Sequence, residues 1–178
     1  MKTTSHIIKV ATILLFSSLF MIGCSEEQKI EKRTKVYSYF YPTENVLPEK
    51  IKQETIYIPV YSHVYTSEEK YERMGITLSI RNTDTTKDLW VKNISYYNTG
   101  GDLIETYINT LHILKPMASI DFVINLSDMR GGSGANFIIE WAGEEELSTP
   151  IIQAVMVNNS GNRAFSFITN GHTIQSSK

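Results

Sequence analysis

From Ile56 onward, apolar and polar residues alternate in short runs, and this alternation is the main structural signal in the chain. The stretch MGITLSIR puts Met74, Ile76, Leu78 and Ile80 on one face and Gly75, Thr77, Ser79 and Arg81 on the other. That period of two belongs to a strand with one buried face. NTDTTKD then supplies a turn. LWVKNISYYN is the next predicted strand; its alternation slips near Asn93, where a bulge restores the register. TGGD predicts a tight hairpin, because paired glycines accept positive φ. LIETY and LHIL follow as short strands, and KPM turns the chain. SIDFVIN places Ile120, Phe122 and Ile124 inward, and NFIIEW does the same with Phe137, Ile139 and Trp141. IIQAVMV and AFSFIT complete the series.

No run of ten or more residues in this region has helical periodicity. Eight or nine short strands at regular spacing predict an all-β domain, an antiparallel two-sheet sandwich of immunoglobulin-like type, because one sheet alone does not bury these inward faces. A barrel is the alternative. No inter-sheet disulfide is available, since Cys24 is the only cysteine.

The stretch IYIPVYSHVY carries an unusual stripe. With Ile56, Ile58, Val60 and Val64 toward the core, Tyr57, Pro59, Tyr61, His63 and Tyr65 line the other face. Aromatic rings with polar tips are enriched at recognition surfaces, and a proline suits an edge strand. Tyr57, Tyr61, His63 and Tyr65 are therefore candidates for a binding surface. Packing beneath the aromatic segment VYSYFY explains the same stripe without a partner.

The N-terminus changes the picture from scaffold to address. MKTTSHIIKV carries two lysines and leads into ATILLFSSLFMIG, an uncharged stretch of thirteen residues immediately before Cys24. A run this short suits a secretory leader better than a membrane-spanning helix, which needs about 20 apolar residues. MIGC resembles the bacterial lipobox, in which a small residue precedes a cysteine that is lipidated and becomes the mature N-terminus. Met21 stands where leucine is commonest. The predicted organisation is a signal peptide over 1–23, a lipidated Cys24 and tether over 24–54, and the β-sandwich over 55–174. Stable anchoring takes more than one acyl chain, which the lipoprotein pathway supplies. Ser25, rather than the retention signal Asp, favours the outer membrane where the cell has one. The polar run SEEQKIEKRTK and Pro42 and Pro48 read as tether, with VYSYFY docked on the domain.

Charge excludes one partner class. Asp, Glu, Lys and Arg make up 20% of the chain and the net charge is −2, which becomes −4 once the first 23 residues, with two lysines and no acid, are set aside. Such a chain has no basic excess to neutralise a phosphate backbone, so nucleic acid is not an expected partner.

Candidate chemistry is thin. RGGSGANFIIEW offers Gly131, Ser133 and Ala135 in a loose nucleophile-elbow spacing, but the elbow needs a strand before the serine and a helix after it, and here a strand follows. No Lys-Ser or Lys-Thr pair follows the glycines, so a phosphate loop fails as well. A turn in which backbone approaches backbone is the expected role. His63, His112 and His172 lack ligand spacing, Asp121 and Asp128 read as solvated carboxylates, and GEEELSTP reads as a wet loop. No cofactor, metal or catalytic residue is predicted.

Five segments together, YIPVYSHVY, LSIRNTD, ISYYNTGGDLI, RGGSGANFIIEW and AVMVNNSGNRAFSFITNG, resemble an uncharacterised family of bacterial envelope proteins catalogued as a domain of unknown function. The resemblance runs from about Thr55 to Ile174. It implies no activity, cofactor or catalytic residue. The expected function is that of a non-enzymatic, lipid-anchored cell-envelope protein that binds or supports an envelope partner. The alternatives are a hydrolase built on Ser133 and a periplasmic metal carrier using His63 or His112 with Met117 or Met129.

Overall fold

The computed structural model describes residues 37–44, 47–159 and 164–177, and their regular structure is all strand. The leader, Cys24 and the polar run after it lie outside the described residues. In chain order the strands are β1 (Phe40–Pro42), β2 (Ile51–Val60), β3 (His63–Ser67), β4 (Lys70–Arg73), β5 (Gly75–Arg81), β6 (Leu89–Tyr97), β7 (Leu103–Ile108), β8 (His112–Leu114), β9 (Ser119–Ile124), β10 (Ala135–Glu144), β11 (Ile151–Asn158), β12 (Phe165–Asn170) and β13 (His172–Ser177).

Every pairing is antiparallel. The larger sheet runs β1-β8-β6-β10-β2-β13, with β7 beside the second half of β6, and the smaller runs β12-β11-β5-β9. β3 and β4 form a separate hairpin. β5 pairs with β9 at one side of the smaller sheet and β6 with β10 inside the larger, as B pairs with E and C with F in immunoglobulin domains. β2 stands beside β10 where the last immunoglobulin strand pairs with F, and β11 stands beside β5 where the first pairs with B.

The predicted faces are the ones that meet in the core. Met74, Ile76, Leu78 and Ile80, with Ile56, Ile58 and Val60, are buried against Phe137, Ile139, Trp141, Ile120 and Ile124. Phe122 is half-buried, edge-on to Tyr107. Each fully buried large side chain of this set contributes roughly 1.5–3 kcal/mol by removal from water. The expected bulge is present: Asn93 pairs with Glu140 and Val91 with Trp141, which leaves Lys92 as the extra residue. Gly101, at φ +86, closes the β6–β7 hairpin as TGGD predicts.

Strand structure begins earlier than Thr55. β2 starts at Ile51, and β1 lies within the segment read as tether. The aromatic residues are the physical reason. Phe40 is buried in the core and its ring stacks on His112 at 4.9 Å. Tyr41 joins Trp90, Ile113, Ala142, Leu47 and Leu111 in a satellite cluster. The docked reading of VYSYFY thus describes the geometry of its Tyr37–Tyr41 part. Pro59 sits on an interior strand, yet pairing with β13 stops at Tyr57, and the Pro59 carbonyl accepts a hydrogen bond from Thr169 Oγ1 at 2.7 Å. The missing N–H therefore falls where the ladder on the β13 side has ended.

The turn after β8 holds a non-glycine residue in left-handed conformation. Met117 has φ +58, with its N–H on the Asp84 carbonyl at 3.0 Å and its side chain exposed. A side chain there costs roughly 1–2 kcal/mol, and glycine at a surface turn gives back about 0.5–1 kcal/mol through the unfolded chain. Met117→Gly is expected to stabilise the domain by about 0.5–1 kcal/mol, read as a higher urea midpoint. A lower midpoint would contradict the strain.

Candidate functional site

The aromatic stripe divides into three environments, because β2 ends at Val60 and the chain leaves the sheet. Ser62 causes the departure. Its N–H donates to the Gly132 carbonyl at 2.9 Å, its own carbonyl accepts from Met74 N–H at 2.9 Å, and its buried hydroxyl lies 3.2 Å from the Tyr96 hydroxyl. Tyr57 stays on β2, half-buried between Ile138 and His172. Tyr61 packs edge-on to Phe167, with ring centroids 5.6 Å apart, and belongs to the periphery of the core. His63 and Tyr65 belong to the β3–β4 hairpin.

That hairpin carries a cluster of three rings. His63 lies 5.1 Å from Tyr65 and 4.9 Å from Tyr71, and the two tyrosines are 6.3 Å apart, edge to face. Tyr65 is 61% exposed and Tyr71 47%. The His63 Nδ1 atom is buried and has no hydrogen-bond partner. Thr66 Oγ1 donates to the Lys70 carbonyl across the turn, and Asn158 Nδ2 donates to the Arg73 carbonyl at 2.8 Å, tying the hairpin to β11. The rings are thus held in place while their outer surfaces remain open. Tyr71 is the member that sequence reasoning missed. It faces Tyr65 across the hairpin only once TSEEK is known to be the turn.

The glycine-rich loop is a junction between strands. The Gly131 carbonyl accepts from Thr99 N–H at 2.9 Å and from Thr99 Oγ1 at 3.0 Å, and Gly134 N–H donates to Thr99 Oγ1 at 2.9 Å. Gly132, not Gly134, takes the positive φ, at +80. A Cβ on Gly131 would overlap the Tyr96 hydroxyl and come within 2.6 Å of Ser62 Oγ. The side chains that the glycines meet are Tyr96, Ser62 and Thr99, with no imidazole or carboxylate among them.

The nearby charges are engaged with each other. Arg130 Nη2 reaches Asp128 at 2.7 Å and Glu105 at 3.3 Å, and Arg130 Nε reaches both Asp128 oxygens. Hydrogen bonding from Arg130 holds the Asp128 carboxyl below its ordinary range. Burial, with the Glu105 charge second, pushes the Tyr107 hydroxyl up to about 12.

The other expected residues are dispersed. His112 Nδ1 lies 2.8 Å from the Thr110 carbonyl, and His172 is exposed on β13. Met117 occupies the turn after β8, and Met129 precedes the glycine loop, its carbonyl accepting from Gly132 N–H. Asp121 is exposed on β9. In GEEELSTP, Glu144 and Glu146 flank Lys87 at 3.3 and 3.2 Å while Leu147 is buried. Among the described residues no three His, Cys, Asp or Glu side chains form a group that could hold a metal ion. An open polar groove of about 470 Å³ is bordered by Gln53, Thr55, Lys92, Glu140, Gln175 and Ser177. Lys92 donates to Gln53 at 2.8 Å within it.

Among curated proteins no relative matches the chain. A solved structure described as Thermotoga maritima 1070 is similar over 67% of this chain and 92% of its own, at 12% identity and a TM-score of 0.42, a likeness too low to carry an argument. The segments that place Ser62, the hairpin rings and the glycine loop all fall within residues 53–174, which match the family described as protein of unknown function (DUF3124), and the chain belongs to that family.

Proposed function

We propose that this chain is a lipid-anchored protein of the bacterial cell envelope whose β-domain works by binding a partner rather than by catalysis. The observation that carries the binding reading is the β3–β4 hairpin, which holds two tyrosines open to solvent around a partly buried histidine. Tyrosine brings large contact area at low entropic cost, and a rigid exposed pair of this kind suits a protein interface. The anchor rests on the leader and MIGC, with Cys24 as the lipidated residue and the outer membrane as destination where the cell has one. The non-catalytic reading is supported by the surroundings of the glycine loop, where Ser133 precedes a strand and Asp128 is already bound by Arg130.

The test uses the full chain in its native membrane. Tyr65→Ser with Tyr71→Ser is expected to abolish crosslinks from the hairpin to an envelope partner while leaving the domain folded, at a cost of about 1–2 kcal/mol from the lost ring contacts with His63. Cys24→Ala is expected to lose fatty-acid label and leave the membrane fraction. Retained crosslinks in the double variant would defeat the hairpin as interface, and equal labelling of the Cys24 variant would defeat the anchor. Labelling of Ser133 by a fluorophosphonate, dependent on the folded state, would put the hydrolase reading first.

A further inference from the structure

The outer face of the larger sheet carries a polar row across four strands. Ile139 and Trp141 on β10 and Ile56 on β2 point into the core, so Glu140 and Thr55 project outward. The registers set Asn93, Glu140, Thr55 and Gln175 side by side on β6, β10, β2 and β13. The β6 bulge brings Lys92 onto the same face, and its ammonium reaches across β10 to Gln53 at 2.8 Å. Farther along the face, Trp90 and Ala142 are packed under Tyr41 and Leu47, and the uncovered part holds the groove of about 470 Å³. A second hollow of about 380 Å³, beside Glu49, Lys50 and Glu145, shares Gln53 and Ser177 with it, so the depression is elongated. Ligand sites run to roughly 300–1,000 Å³, and each hollow falls within that range.

The chemistry of the groove defines its occupant. The strands beneath it are hydrogen-bonded on both sides, β10 to β6 and β2, and β2 to β10 and β13. A peptide has no strand edge to pair with there, so recognition falls to side chains. Gln53, Thr55, Gln175 and Ser177 are uncharged groups that both donate and accept. Half-buried Glu140, in the middle of the row, has no hydrogen bond or ion pair to its side chain among the described residues, and neither have Thr55 and Gln175. With Glu54 taken up by Lys52, the groove sets Glu49, Glu140 and Glu145 against Lys50 and Lys92. That balance disfavours an anionic ligand.

We propose that this groove binds a neutral saccharide chain. Adjacent ring hydroxyls donate as a pair to the two oxygens of Glu140, while the amide of Gln175 and the Thr55 hydroxyl exchange hydrogen bonds with others. Tyr57, the next outward residue of β2, is half-buried and offers a flat apolar surface to the C–H side of a sugar ring. The groove lies at the start of β2 and the tyrosine hairpin follows its end, so the two surfaces act independently.

The experiment applies the full chain, in mild detergent, to immobilised neutral tetrasaccharides of glucose, N-acetylglucosamine, mannose and xylose, with tetragalacturonate as the acidic comparison. Retention on at least one neutral chain and not on tetragalacturonate is the expected result. In calorimetric titration with the retained saccharide, Glu140→Gln should weaken binding about tenfold or more, the worth of a hydrogen bond to a charged group. Gln175→Ala should weaken it several-fold. Asp121→Asn, exposed on β9 of the smaller sheet, should leave it unchanged. Glu140 has no ion pair to lose and Gln175 is exposed, and melting curves of each variant check that the domain is intact. No retention on any neutral chain, equal retention on tetragalacturonate, wild-type affinity in Glu140→Gln, or an equal loss in Asp121→Asn would each overturn the proposal.

Discussion

Replacing Gly131 with alanine is expected to destabilise the domain by about 2–4 kcal/mol. The new methyl group would overlap the Tyr96 hydroxyl and crowd Ser62 Oγ, both buried. Overpacking alone costs roughly 1–3 kcal/mol, and separating the two hydroxyls leaves buried polar groups unpaired, which adds about 1–3 kcal/mol if neither finds a new partner. The lower total allows for movement of Tyr96. Ser62 is also where the chain leaves β2, so the disturbance reaches the hairpin. At about 2–4 °C per kcal/mol for a chain of this size, the melting temperature should fall by roughly 5–15 °C. Gly132→Ala should cost about 1–2 kcal/mol through its positive φ. Ser133→Ala should stay within about 0.5 kcal/mol. Thermal unfolding of the three variants side by side gives the ranking, and a Gly131→Ala midpoint no lower than that of Ser133→Ala would refute the packing argument.

The strands were legible because burying one face of a sheet imposes alternation on the sequence. Met74–Ile80 carries that pattern without interruption, Phe137–Trp141 carries it with Ile138 as the one apolar residue facing outward, and the slip in LWVKNISYY marked the Lys92 bulge correctly. The break between β2 and β3 was not legible. Ser62 continues the inward series of Ile56, Ile58 and Val60, so parity alone extends the strand through it. What stops the strand is a hydrogen-bonding set contributed by Gly132, Met74 and Tyr96, and distance along the chain hides such partners.

The candidate surface was legible in part for the same reason. Read as one strand, IYIPVYSHVY yields a stripe of three tyrosines and His63. Folded, it yields one tyrosine on the sheet, one against the core and one on the hairpin, where Tyr71 joins it. The glycine loop repeats the lesson at smaller scale. That its glycines serve the backbone follows from composition and the strand behind it, but assigning the tight contact to Gly131 and the positive φ to Gly132 depends on Tyr96 and Thr99 arriving from β6 and its turn.

Acid is expected to weaken the wild-type domain more than the Asp84→Asn variant. The Asp84 carboxylate accepts hydrogen bonds from the N–H groups of Thr86, Ser148 and Lys87 and from Thr86 Oγ1, so it joins the β5–β6 turn to the loop before β11. These donors, Thr86 N–H foremost, hold its carboxyl well below the ordinary carboxylate range. The sign follows from linkage: a carboxyl whose pKa is lowered by folding takes up its proton more readily in the unfolded chain. Its contribution is therefore complete above about pH 5 and declines as pH falls below roughly 4 toward the folded value. Asparagine keeps one acceptor oxygen but turns an NH₂ toward a backbone donor, either Ser148 N–H or the Thr86 and Lys87 pair. Asp84→Asn should thus melt lower than wild type at pH 7, show a shallower loss between pH 5 and 2, and approach wild type at the acid end. Asp128→Asn, whose carboxylate is bound mainly by the exposed Arg130, separates a general acid effect from this one. Parallel melting-temperature profiles for wild type and Asp84→Asn would mean that the acid sensitivity resides in other carboxylates and that the Asp84 junction is held by its neighbours.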